Sequence, residues 1–77
     1  MKDIETLKQE HLERLKKADK RFNDDKITYD ELIDQCNKSK ELAQAELLQV
    51  YEKTNMTYKE YLHIKHWLGH RVFEIIL

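Results

Sequence analysis

The sequence has no proline, one glycine and one cysteine among its 77 residues. Sheet-containing domains usually place proline and glycine at their turns, so their scarcity favours helices joined by short polar loops. Phosphate loops, dinucleotide-binding fingerprints and nucleophile elbows each need several glycines and are therefore excluded. Because the lone Cys36 cannot form an internal disulfide, we expect a reducing, cytoplasmic setting.

Long apolar segments and an excess of one charge are also missing. The longest apolar run is three residues, at 75–77, whereas a membrane-spanning helix needs about 20. The sequence contains fourteen Lys and Arg and fifteen Asp and Glu, which gives a net charge of -1. A nucleic-acid-binding domain, by contrast, usually has a clear basic excess. We expect one small domain over 1–77, with no signal peptide and no membrane association.

Apolar residues instead recur at helical spacing in three segments, which predict helices at about 3–22, 29–54 and 58–76. Thr28 with Glu31, and Thr57 with Glu60, have the spacing of capping boxes that would start the second and third helices. Asn55 is expected to end the second helix in a left-handed conformation. The predicted fold class is all-α, either a three-helix bundle or a helical hairpin with a third helix.

The third predicted helix differs from the others because its apolar residues cover about 180° of its circumference. A small bundle buries one narrow stripe per helix, so we expect part of this surface to bind a protein, most simply a second copy of the chain. The expected contact residues are Ile64, Trp67, Leu68, Arg71, Phe73 and Ile76.

Two other sets of residues could bind a ligand. Histidine and glutamate at helical spacing on one face of the third helix could hold zinc, although a lone helix supplies poor tetrahedral geometry and no metal is expected; these are His63, His66, His70 and Glu74. A modest basic patch within 14–26, which also includes Lys16 and Lys26, could contact nucleic acid through Arg14, Lys17, Lys20 and Arg21, although acidic residues interleave with it.

Two further residues lie on the predicted core stripes. Cys36 is expected to be a buried structural thiol, and His11 a hydrogen-bonded core or interface residue, not a catalytic base. No nucleophile, base and acid fall into a plausible catalytic arrangement, so we expect no enzyme and no cofactor.

The sequence therefore predicts a small cytoplasmic protein-interaction module that forms a homodimer through its C-terminal helix. A regulator, an inhibitor or an assembly factor fits this description. The alternative is a nucleic-acid-binding accessory protein that uses the basic patch at 14–26. The usage of Lys, Asn and Ile with a single glycine suggests an AT-rich bacterial or phage genome.

Overall fold

A computed structural model describes residues 2–77 as three α-helices. Helix α1 spans Ile4–Asn23, α2 spans Tyr29–Lys53 and α3 spans Tyr58–Ile76. All three helices contact one another, so the fold is a three-helix bundle with extents of 44 × 21 × 15 Å. The predicted fold class is confirmed, and the predicted helix bounds hold to within one residue.

Each helix begins at a side chain that accepts a hydrogen bond from the first turn. Asp3 accepts from the Thr6 amide at 2.7 Å, and this bond lowers the pKa of the Asp3 carboxyl. Thr28 forms the complete capping box, in which its own amide also donates to the Glu31 carboxylate at 3.0 Å. Thr57 accepts from the Glu60 amide at 3.1 Å. Within the described residues its own amide does not reach the Glu60 carboxylate, so the second capping box is only half formed.

The ends of α1 and α2 are built differently. After α1, the Lys26 amide donates to the Arg21 carbonyl and the Asp25 amide to the Phe22 carbonyl. This is a Schellman motif, and Asp25 occupies its left-handed position with φ 59°.

The prediction that Asn55 ends α2 in a left-handed conformation is wrong. Thr54 ends the helix in extended conformation, with its hydroxyl donating to the Val50 carbonyl at 2.7 Å.

Two apolar clusters form the core, one towards each end of the bundle. The first contains Leu15, Ala18, Leu32, Cys36 and Val72, and the second contains Leu7, Ala43, Leu47 and Leu68. Members of each cluster come from all three helices, which explains why the chain closes into a bundle instead of leaving α3 as a separate arm. None of the helices within residues 2–77 has a segment long and apolar enough to cross a lipid bilayer.

Candidate functional site

A buried polar contact between the two apolar clusters fixes which face α3 presents to solvent. His11 on α1 is fully buried, and its imidazole reaches both other helices. Its Nδ1 lies 2.8 Å from the Ser39 hydroxyl on α2, and its Nε2 lies 2.9 Å from the Leu68 carbonyl on α3. The expectation of a hydrogen-bonded core histidine is confirmed.

The partners of His11 determine its protonation. A carbonyl oxygen only accepts, so Nε2 carries the proton that goes to Leu68, and a neutral ring then accepts at Nδ1 from the Ser39 hydroxyl. Arg14 donates from Nε to the same hydroxyl oxygen at 2.8 Å. Burial lowers the pKa of His11; the bond to the Leu68 carbonyl opposes this shift, and the Arg14 charge adds to it. The imidazole is therefore neutral at physiological pH.

This contact turns the Leu68 side of α3 towards the core. Leu68 and Val72 are buried, and Leu68 belongs to the second apolar cluster. The prediction that Leu68 contacts a partner is therefore wrong: its position in the middle of the broad apolar arc of α3 places it over the other two helices.

Three other predicted contact residues of α3, Ile64, Trp67 and Arg71, are partly buried. Ile64 and Trp67 are half-buried against the second apolar cluster. The Trp67 ring is contacted by two cations, with the Lys8 ammonium 4.9 Å and the Arg71 guanidinium 5.1 Å from its centroid. Arg71 also pairs with Glu74 at 3.2 Å. The Trp67 and Arg71 side chains are thus engaged within the chain.

The last two predicted contact residues, Phe73 and Ile76, lie at the end of the bundle. Phe73 is 55 % exposed and the following Leu77 is 96 % exposed. Tyr29, at the start of α2, is 47 % exposed and its hydroxyl donates to the Ile76 carbonyl at 2.5 Å. We call Tyr29, Phe73, Ile76 and Leu77 the end patch. Residues from two helices contribute to it, and the exposed acids Asp30 and Glu74 adjoin it in the sequence.

The predicted metal residues lie on the solvent side of α3, where His63, His66, His70 and Glu74 are all exposed. The Glu74 carboxylate is held by Arg71 at 3.2 Å, whereas His70 Nε2 is 4.0 Å away from it. Within residues 2–77, no group of three or more His, Cys, Asp or Glu side chains is arranged to hold a metal ion.

Cys36 is a buried free thiol in the first apolar cluster, as predicted. Burial raises the pKa of this thiol, and the nearby Asp19 carboxylate raises it further. A protonated, enclosed thiol is a poor nucleophile, so the structure gives Cys36 a packing role.

The predicted basic patch divides between two surfaces. Arg14, Lys17 and Arg21 line an open groove between α1 and α2, where Lys38 of α2 joins them, whereas Lys20 does not line it. The turn spacing explains this division, because residues 14, 17 and 21 follow one face of α1 and residue 20 lies about 100° away from Arg21.

The comparisons with known proteins identify no relative. No protein-family model, no curated protein and no solved structure matches the chain.

Two residues that the sequence pattern did not single out line the groove between α1 and α2. Ser39 follows Cys36 by three residues and precedes Ala43 by four, so the core spacing of α2 could have revealed it. Lys38 carries no such signal, because its place in the groove depends on how α2 packs against α1.

Proposed function

We propose that this protein is a small interaction module that forms a homodimer through the end patch. The observation that supports the proposal is the exposure of Phe73, Leu77 and Tyr29, with Tyr29 joined to the end of α3 by its hydrogen bond to the Ile76 carbonyl. Dimerisation would be the basis of a regulatory or assembly role.

The arrangement of α3 explains why the end patch is not buried within the chain. Leu68 and Val72 point between α1 and α2, so a residue such as Phe73, about 100° further round the helix from Val72, points away from the core. Ile75 and Ile76 still pack against the first apolar cluster from its edge. The apolar arc of α3 is therefore wider than its two neighbours can cover.

The area of the end patch suits a second copy of the chain. Half-exposed Phe73 and Tyr29 each leave roughly 100 Å² accessible, and Leu77 brings the patch to a few hundred Å². A two-fold interface uses the same patch on both copies, so it removes twice this area from water. Specific complexes bury about 1,200 Å² or more in total. In a dimer near that lower limit, the two end patches would form the apolar centre of the interface.

Electrostatics does not oppose this dimer. The net charge of -1 gives two copies little mutual repulsion. Tyr29 and Phe73 also supply aromatic rings that can pack edge to face across a two-fold axis, a geometry that adds to the gain from buried area. We expect a dissociation constant in the micromolar range, because a small interface must also offset the lost freedom of two subunits.

The test compares the mass of the wild type with that of Phe73→Glu by light scattering at about 100 μM. The proposal expects a wild-type dimer and a monomeric Phe73→Glu with unchanged helical circular dichroism. The matched control is Leu48→Glu, which places the same charge at an exposed leucine on α2 outside the patch and should remain dimeric. A monomeric wild type, or equal dissociation in both variants, would contradict the proposal.

A further inference from the structure

The groove between α1 and α2 is lined mainly by positively charged side chains. It encloses about 310 Å³ and is lined by Arg14, Lys17, Arg21, Gln35, Lys38, Ser39 and Leu42. Four of these seven side chains are cationic and none is acidic, although the whole chain has a net charge of -1. The α1 cations follow one another at spacings of three and four residues, so they form a row about 10 Å long.

Two of the cations are held in place by α2. Arg14 donates from Nε to the Ser39 hydroxyl at 2.8 Å and from Nη2 to the Ser39 carbonyl at 3.3 Å. Arg21 donates from Nη1 to the Gln35 amide oxygen at 2.9 Å. These contacts span the groove and orient the guanidinium groups before any ligand arrives, which reduces the entropy lost on binding.

The hydrogen-bond partners of these two arginines are neutral, so they do not cancel the charge of either guanidinium. Within residues 2–77, no carboxylate lies within ion-pair distance of Arg14, Lys17 or Arg21. Lys38 is the exception in the groove, since it pairs with Asp34 at 2.9 Å. A guanidinium has five N–H donors, and the observed contacts leave several of them on Arg14 and Arg21 for another acceptor.

We propose that this groove binds a small anion with one or two phosphate groups, which is a function beyond self-association. A phosphate has several acceptor oxygens and forms bidentate hydrogen bonds with arginine. The α1 wall of the groove offers two planar guanidinium groups and one lysine to such a ligand. The volume of the groove lies at the lower end of the range for small-molecule sites. The open side of the groove leaves room for the organic part of a phosphate ester. The exposed Leu42 side chain could make an apolar contact with it.

A nucleic-acid strand fits this groove less well than a small phosphate ester. The lining residues include no aromatic ring on which a base could stack. The net charge of -1 also lacks the basic excess that draws a domain towards a long polyanion. Nucleic acid is therefore treated as a competing outcome of the experiment.

The experiment measures binding of inorganic pyrophosphate and of a 20-nucleotide DNA duplex by calorimetry at low ionic strength. The proposal expects saturable binding of pyrophosphate with a dissociation constant below about 1 mM. Arg21→Gln and Lys17→Gln should each weaken it about tenfold, the loss expected for one charge-assisted contact. Both residues lie outside the buried contact of His11, so the variants are expected to fold.

The matched control is Lys20→Gln, which removes one positive charge from the same helix outside the groove and should leave the affinity within about twofold. Equal weakening by Lys20→Gln would show a diffuse charge effect and overturn the proposal. The proposal also fails if pyrophosphate does not bind, or if only the duplex binds, with affinity falling steeply as salt is added. None of these results depends on whether the end patch forms a dimer.

Discussion

Removing the His11 imidazole should destabilise the bundle strongly, because this side chain joins all three helices. His11→Ala deletes the contacts to Ser39 and Leu68, each contributing about 1 kcal/mol net. It also leaves a cavity at a fully buried position, which costs about 1–2 kcal/mol. The expected loss is therefore about 3–4 kcal/mol, a large fraction of the roughly 4–12 kcal/mol available to a chain of this length.

The same contact predicts how stability depends on pH. Burial lowers the pKa of His11 in the folded state, so the unfolded chain binds a proton more readily. The stabilisation is fully present above the unfolded pKa of about 6.5 and is lost as the pH falls below that value. The slope that His11 contributes cannot exceed about 1.4 kcal/mol per pH unit.

Urea unfolding followed by circular dichroism between about pH 5 and pH 8 tests both statements. The wild type should lose stability towards pH 5, and His11→Gln should lose the part of the slope that His11 causes. His66→Gln, at an exposed position of α3, is the control and should keep the wild-type slope. A cost below about 1 kcal/mol for His11→Ala, or the same pH dependence for His11→Gln and the wild type, would contradict these predictions.

Three further predictions concern the helices, each measured as the free energy of unfolding. Gly69→Ala should stabilise α3 by up to about 1 kcal/mol, because a methyl group there meets only the Lys40 side chain at an ordinary 3.8 Å; a loss of stability would show that the helix interface is tighter than this. Asp25→Gly should gain about 0.5–1 kcal/mol, because Asp25 holds a left-handed conformation that glycine adopts without strain; a decrease would mean that its carboxylate has another role. Thr28→Ala should cost about 1 kcal/mol and Thr57→Ala no more than that, since only Thr28 has the reciprocal bond; the reverse order would contradict the capping assignment.

The fold could be predicted from the sequence because its determinants are local. Periodic apolar residues and the caps at Thr28 and Thr57 specify where helices start and which stripe each one buries. The short loop between α1 and α2 makes these helices antiparallel neighbours, and Phe22 before the loop lies beside Tyr29 after it, with ring centroids 5.9 Å apart. The two core clusters then contain the residues that this register brings together.

The surfaces could not be predicted to the same level, because they depend on the rotation of α3. A helix with apolar residues over half its circumference can pack in more than one orientation, and periodicity does not choose among them. The hydrogen bond from His11 to the Leu68 carbonyl forms in only one rotation of α3 about its axis. In that rotation Leu68 is buried and Phe73 is exposed. Likewise, the groove cations became one set only when α2 brought Lys38 beside Arg14 and Arg21.

The proposal that this chain acts as a dimer through its end patch is tested most directly by two-dimensional amide NMR spectra in a dilution series. Between about 500 and 10 μM, the account predicts concentration-dependent shifts at residues 29, 73, 76 and 77 and at their neighbours, with the α1 amides near Leu7 unchanged. Spectra that do not change on dilution, or changes centred on another part of the bundle, would contradict it.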